Sequence, residues 1–397
     1  MQCTLLDVFS FSNVPMQVLR SAVIFCQVID NFGDAGVCWR LARQLAHQEK
    51  LQVTLWIDDV QALQRLRPHL DPSLASQACD GFTLCRWDEH SVPNVEVDIV
   101  IEAFGCRLPN ATIAAMAAMQ IPPVWINLEY LSAEKWVEQS HGLPSPHPQY
   151  ALTKYFYFPG FSQATGGLLK ESFVDTNRKV MNNDEHHRLA FAERLAFMLD
   201  PQPTLVSLFC YPSAPVHALL DALQTGEPVT CLIPEGVAVD QLSDYFSTTP
   251  KAGMQMQRGV LTCHIIPFLE PDDFDRLLAV CDVNFVRGED SFVRAQWAAK
   301  PLVWQAYPQE EAVHLDKLQS FLDCYLHDCD AHAAHIMQQF ARAWNAEQGS
   351  SLDWASLQSE LKNMELHALQ WCSQLSSQTE LAQGLVRFAV ERKQTLS

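Results

Sequence analysis

The sequence predicts an α/β protein built as two Rossmann-like lobes that face each other across a cleft. Three observations predict it. The chain has 397 residues, beyond the length at which one hydrophobic core usually stops growing. Near-continuous apolar runs alternate with amphipathic stretches in both halves, the mark of parallel strands covered by helices on both faces. Each half also ends one apolar run in a glycine-bearing acidic turn: Asp30-Asn31-Phe32-Gly33-Asp34 in the first, Arg287-Gly288-Glu289-Asp290-Ser291 in the second. Open parallel sheets bind ligands outside the carboxyl ends of their strands, so one such turn per half marks two walls of one cleft.

In the first half, 22–26 reads as a buried strand and 37–47 as a helix. A second strand is read at 53–57, a third at 98–101 and a fourth at 124–126. Residues 141–170 are rich in Pro, Gly and aromatics and read as an ordered loop at a domain edge. Residues 171–200 are charged and helical and read as a bridge. The second half repeats the pattern, with strands at 205–209, 229–233, 264–268, 283–286 and 302–304 and a helix at 272–281. Beyond 331 the chain reads as helical and ends in an amphipathic stretch, 381–393. The expected division is 1–175 for the first lobe, 176–200 for a linker helix and 201–377 for the second lobe. The terminal helix, 378–397, is expected to rejoin the first.

Forty-six acidic residues against 27 basic ones give a formal charge of −19. Such a surface repels phosphate backbones and anionic lipid, so neither nucleic acid nor membrane is an expected partner. It suits a cationic acceptor. No apolar run reaches the roughly 18 residues of a spanning helix. Thirteen cysteines include no C-x-x-C, and most sit in apolar runs, where a thiol behaves as a small hydrophobe. The odd count in a long chain fits a reduced, cytoplasmic compartment. Residues 1–20 lack a basic leader and a cleavage site and read as a loose extension, with Met16 a second candidate start.

The two turns hold the candidate chemistry. Gly33 permits a tight turn and Asp34 is placed to cap a helix from near Ala35, which leaves Asp30 and Asn31 without a structural reason. Ser291 is placed to cap a helix at 291–299. The start of that helix offers backbone N–H groups to phosphate, and Glu289 and Asp290 offer oxygens to sugar hydroxyls. Arg287-Gly288 adds charge and backbone freedom that a plain cap does not need. Glu129 and Tyr130 either line the cleft or precede a helix capped by Ser132; the residues leave both open. Phe209, Tyr211 and Phe268 end second-lobe strands, where an aromatic stacks on a base or packs in the core. The histidines have no metal spacing.

The stretches 28–37 (Val-Ile-Asp-Asn-Phe-Gly-Asp-Ala-Gly-Val), 127–134 (Asn-Leu-Glu-Tyr-Leu-Ser-Ala-Glu) and 287–296 (Arg-Gly-Glu-Asp-Ser-Phe-Val-Arg-Ala-Gln) resemble the protein-arginine rhamnosyltransferases of elongation factor P, the EarP family. Tyr307-Pro308-Gln309-Glu310 and 314–318 fit as well, so the resemblance runs from about residue 22 to the C-terminus. It implies the GT-B glycosyltransferase fold, with the acceptor on the first lobe and the nucleotide sugar on the second. It implies inverting transfer of L-rhamnose from dTDP-β-L-rhamnose to one arginine of elongation factor P, activating it, with no cofactor and no metal. By the same resemblance Asp34 is the general base, with Asp30 beside it and Glu289 the third catalytic residue. Phe32 and Gly33 border the sugar, and Asn31 is a further substrate-binding residue. Glu289, Asp290 and Ser291 hold the diphosphate and rhamnose beside Arg287 and Gly288. Tyr211 and Phe268 border the thymine, with Phe209 a further candidate. One departure stands near the base, where Glu270-Pro271 replaces the family's Pro-Gln.

The chemistry explains why such residues are needed. A guanidinium stays protonated and its lone pairs are delocalised. A single displacement by it needs a carboxylate that orients it and removes a proton as the C–N bond forms. The departing diphosphate needs positive potential, which a helix start and an arginine supply. Two other readings remain at this level: a GT-B transferase with another nucleotide sugar or a small-molecule acceptor, and a non-catalytic nucleotide-sugar-binding module.

Overall fold

The computed structural model describes residues 19–30, 32–88, 91–200, 202–309, 312–346 and 351–396. Asn31, Met16 and most of the N-terminal extension lie outside them. Eight strands form the first sheet: β1 (Ser21–Cys26), β2 (Gln52–Ile57), β3 (Ser76–Cys79), β4 (Phe82–Arg86), β5 (Ile99–Ala103), β6 (Val124–Leu128), β7 (Pro144–Pro146) and β8 (Thr153–Tyr157). Their order is β3-β4-β2-β1-β5-β6-β8-β7, parallel except at the edge strands β3 and β7. Six strands form the second: β9 (Thr204–Leu208), β10 (Val229–Pro234), β11 (Gln255–Arg258), β12 (Leu261–Ile266), β13 (Val283–Arg287) and β14 (Leu302–Gln305). Their order is β11-β12-β10-β9-β13-β14, with only β11 antiparallel.

The central strands are apolar because helices cover both their faces. Every residue of β5, β6 and β10 is buried. The helices are α1 (Phe32–His47), α2 (Val60–Leu66), α3 (Asn110–Ala117), α4 (Trp136–Ser140), α5 (Val174–Asn183), α6 (Glu185–Arg194), α7 (Val216–Leu223) and α8 (Val239–Phe246). They continue with α9 (Pro271–Val280), α10 (Asp290–Ala298), α11 (Val313–Tyr325), α12 (Ala331–Asn345), α13 (Trp354–Ser359), α14 (Leu361–Ser376) and α15 (Leu381–Leu396). No helix among the described residues is long and apolar enough to cross a membrane.

Strand order places the site. In the first sheet the order reverses between β1 and β5, and in the second between β9 and β13. Those are the switch points where open α/β sheets bind ligands. The Asp30 turn follows β1 and the Gly288 turn follows β13, so both acidic turns emerge at a switch point.

Several expectations need correction. Residues 141–170 are not all loop: β7 and β8 extend the first sheet, β8 running parallel to β6. The helix expected from 37 begins at Phe32. The helical stretch after 171 is two helices broken at Asp184, which caps α6 by accepting from the His187 N–H at 3.2 Å. Phe209 and Phe268 stand just past β9 and β12, not within them.

The chain crosses between the sheets around Gly167 and returns beside it: the Leu381 N–H donates to the Leu168 carbonyl at 3.0 Å. After the return, α15 packs on β6 and α1. Phe388 meets Tyr155 and Tyr157 edge-on, and Lys393 pairs with Asp98.

Candidate active site

The first turn is built around two carboxyls with different jobs. Asp34 sits in the first turn of α1, and its Oδ2 reaches back to accept the N–H groups of Ile29 at 2.7 Å and Asp30 at 2.8 Å. It is therefore not the cap of a helix starting at Ala35; it ties the preceding loop to a helix that has already begun. The nearby Tyr130 hydroxyl also favours its charged form. Asp34 is only 1% exposed, and burial raises its pKa against these donors. Asp30 is half-buried and faces the cleft. Burial pushes its pKa up to about 6; Asp34 adds to the rise, while Tyr211 and Arg287 oppose it.

The second turn meets the first at close range. Gly288 has φ +59°, and a Cβ there would lie 2.5 Å from both Asp30 Oδ2 and the Tyr211 hydroxyl. A side chain there is strained by that conformation and crowded by that contact. The Gly288 carbonyl accepts from Trp304 Nε1 at 2.8 Å. Ser291 does not cap a helix. Its hydroxyl donates to the Arg287 carbonyl at 2.6 Å and accepts the Arg287 N–H at 3.0 Å, closing the turn on itself. The helix begins at Asp290 instead. Glu289 is half-buried. Burial holds its carboxyl well above the usual range, with Asp34 and Asp30 adding and the Leu131 N–H opposing. Ser132 caps no helix either: its hydroxyl donates to Glu134 at 2.9 Å, and α4 starts later. Glu129 is taken by Asn127, whereas Tyr130 does line the cleft.

Two openings flank Asp30. The first, about 590 Å³ measured out to its mouth, is walled by Phe32, Phe209, Tyr211, Phe268, Phe274 and Arg287. The Arg287 guanidinium lies 4.6 Å from the Phe209 ring centre and 4.5 Å from that of Tyr211. Aromatic faces around one cation suit a base and a phosphate. The second, about 860 Å³ on the same measure, is walled by Ile29, Tyr130, Glu289, Trp304, Tyr307 and Lys317. Asp30 lines both.

Of the residues singled out in the sequence, Asp30, Phe32, Gly33, Phe209, Tyr211, Phe268, Arg287, Asp290 and Ser291 border the first opening, and Gly288 and Glu289 the second. Asp34 borders neither and reaches the second only through Tyr130. Asn31 lies outside the described residues. Sequence reasoning missed Phe274, which packs edge-on against Phe209 at 5.4 Å. It also missed Arg40 and Lys317, which sit on helices without any local motif. At the Glu270-Pro271 departure, Glu270 pairs with Arg67 of the other lobe at 2.8 Å, and Pro271 borders the first opening. Among the described residues, the group with metal-ligand geometry is His69, Cys79 and Asp80. None of these borders either opening, and Asp80 already accepts from Trp39 and Arg67.

The family model described as elongation factor P (EF-P) rhamnosyltransferase EarP matches residues 22–390. The chain belongs to the EarP family. A protein-arginine rhamnosyltransferase of Pseudomonas putida is 44% identical to it, covering 92% of this chain and 97% of its own. Proteins of the same description from Pseudomonas aeruginosa and Shewanella oneidensis are 41% and 38% identical, each over 92% of this chain. A solved structure described as the structural basis for EarP-mediated arginine glycosylation of translation elongation factor EF-P superposes with a TM-score of 0.66 and 32% identity. It covers 93% of this chain and 98% of that one. This EarP-family chain is a glycosyltransferase of the GT-B fold, and its two facing sheets are the two GT-B lobes.

Proposed function

We propose that this protein transfers L-rhamnose from dTDP-β-L-rhamnose to an arginine side chain of elongation factor P, with inversion at C1 and without a metal. Family membership supports the reaction class. The observation that carries the reading is the place of Asp30, between an aromatic opening holding a cation and a second opening where Glu289 joins it beside Tyr130, Trp304 and Tyr307. The first suits a nucleoside diphosphate and the second a guanidinium.

In this reading the thymine stacks among Phe268 and Phe274, and Arg287 faces the diphosphate. The acceptor guanidinium enters past Tyr130 and is oriented by Asp30 and Glu289. One guanidinium nitrogen attacks C1 as the C1–O bond to the diphosphate breaks. The bonding pair leaves on the diphosphate oxygen, where Arg287 stabilises it in place of a metal. The proton on the attacking nitrogen passes to Asp34 once the guanidinium displaces the Tyr130 hydroxyl. Two backbone N–H groups hold that carboxylate rigid, and its raised pKa makes it a better proton acceptor. The products are dTDP and a rhamnosylated arginine that keeps its positive charge.

The test is the intact mass of elongation factor P after incubation with the protein and dTDP-rhamnose, no metal added. The expected result is a gain of one deoxyhexose, lost when the acceptor arginine is changed to lysine. Donor binding without any gain would remove elongation factor P as the acceptor, and failure to bind the donor would remove dTDP-rhamnose.

A further inference from the structure

Asp290 borders the first opening, yet its carboxylate is committed elsewhere. Its Oδ1 lies 2.9 Å from Nε of Arg40, on α1 of the opposite lobe. The contact is an ion pair and not an aligned hydrogen bond, since neither atom has a well-directed hydrogen-bond partner. Arg40 is fully buried. Its Nη1 donates to Glu171 at 3.0 Å, and its Nη2 donates to Asp275 at 3.1 Å and to the Pro271 carbonyl at 3.3 Å. One guanidinium thus holds the inter-lobe crossing, α9 and the start of α10 together. Arg294 of α10 binds the same two acids, Glu171 at 2.6 Å and Asp275 at 2.7 Å. Arg43 joins at the edge, between Glu171 at 2.8 Å and Asp272 at 3.1 Å, and touches no residue of the Gly288 turn.

The geometry around this pair is tight. A Cβ on Gly36 would lie 3.3 Å from both Cγ and Oδ2 of Asp290. The α1 backbone therefore comes right up to that carboxylate. Helix α1 carries Asp34 in its first turn and begins at Phe32, two residues after Asp30; Asp290 follows directly on Gly288 and Glu289. Buried ionic networks add little net stability over apolar packing, because desolvating the charges offsets their attraction. What such a network can supply is register.

We propose that Arg40 is a positioning residue for the transfer: by holding Asp290 it sets Glu289 and the Gly288 turn against the Asp30 and Asp34 loop. The inference rests on the reaction proposed above. Lysine cannot replace it, because a single ammonium cannot meet three carboxylates lying around one planar fork.

The test compares wild type, Arg40→Lys, Arg43→Gln, Asp290→Asn and the double variant Arg40→Lys/Asp290→Asn. Melting temperature, calorimetric Kd for dTDP-rhamnose, and kcat and KM for the acceptor are measured well below the lowest melting temperature. A misplacement of reacting groups by about 1 Å costs roughly 10²-fold in rate. The expected result is a fall in kcat of that order for Arg40→Lys, with donor Kd close to wild type. Arg43→Gln should melt lower yet turn over normally. The double variant should be no slower than the slower single one, because both changes cut the same link. Should Arg40→Lys fail to fold, Asp290→Asn decides alone, since Arg40 then keeps Glu171 and Asp275. A variant that melts lower with full kcat makes Arg40 merely structural. Arg40 itself borders the first opening, so a weakened donor Kd for Arg40→Lys makes it a donor contact, as one for Asp290→Asn makes Asp290; each of these results overturns the inference. An inactive wild type sinks the proposed function itself, whereas an active wild type with an active Arg40→Lys sinks this inference alone.

Discussion

The Tyr211 hydroxyl donates a 2.7 Å hydrogen bond to Asp30 Oδ2, so a second-lobe side chain touches the first-lobe carboxylate at the centre of the cleft. This bond favours the charged form of Asp30 and opposes the burial that raises its pKa to about 6. Tyr211→Phe removes the opposing effect. A hydrogen bond to a charged group contributes about 1.5–3 kcal/mol, which corresponds to a pKa change on the order of one unit. The acid limb of kcat/KM, expected near pH 6 in the wild type, should move up by about that much. An unmoved limb would mean that another group controls it.

Asp30 also sets a trade between stability and activity. Its folded pKa of about 6 lies above the ordinary aspartate value of 3.8. Its stabilising contribution is therefore complete below pH 3.8 and lost as pH rises through 6. Asp30→Asn abolishes that loss, so the variant should melt higher than wild type at pH 7.5, and the difference should vanish near pH 4. Transfer should fall by about 10²-fold or more, the usual scale for a positioned acid–base group. Asp34→Asn should lose transfer at least as severely while binding donor normally. Normal turnover in Asp34→Asn would remove it as the base.

Arg287 carries the charge balance on the donor side. Its guanidinium rests on Phe209 and Tyr211, and Arg287→Gln should weaken dTDP and dTDP-rhamnose binding together. The chelator EDTA, added to the wild type, should leave the rate unchanged. A rate that collapses with EDTA and returns with a divalent cation would overturn the metal-free reading.

Much of this was legible because the central strands are buried on both faces and so read as unbroken apolar runs. The acidic turns were legible because Asp30 and Glu289 have no structural reason to follow such strands. β8 was not, since Thr153 to Phe156 are all half-buried and mix polar with aromatic residues, leaving neither alternation nor an apolar run. Asp34 reads as a cap because it follows a glycine and precedes an apolar run, but it lies inside the first turn of α1 and accepts N–H groups from the loop before it. Phe274 was hidden in the amphipathic pattern of α9. The Arg40–Asp290 pair joins helices from opposite lobes, and no local spacing encodes it.

Gly288 is a position where the two lobes leave little room. Its φ of +59° is costly for any residue with a side chain, and a Cβ would meet both Asp30 Oδ2 and the Tyr211 hydroxyl at 2.5 Å. Both atoms end side chains of the pair that joins the lobes, so alanine is admitted only when that pair shifts. Gly288→Ala should cost about 1 kcal/mol or more from backbone strain alone. Its larger effect should fall on function. With Asp30 and Tyr211 pushed apart, the wall between the two openings moves, and transfer should drop by about 10²-fold, the scale of a small misplacement of reacting groups. Melting curves, donor calorimetry and turnover on one preparation separate the two effects. A variant that melts lower yet transfers normally would mean that the lobes work at a wider separation, with the Asp30–Tyr211 bond open during catalysis.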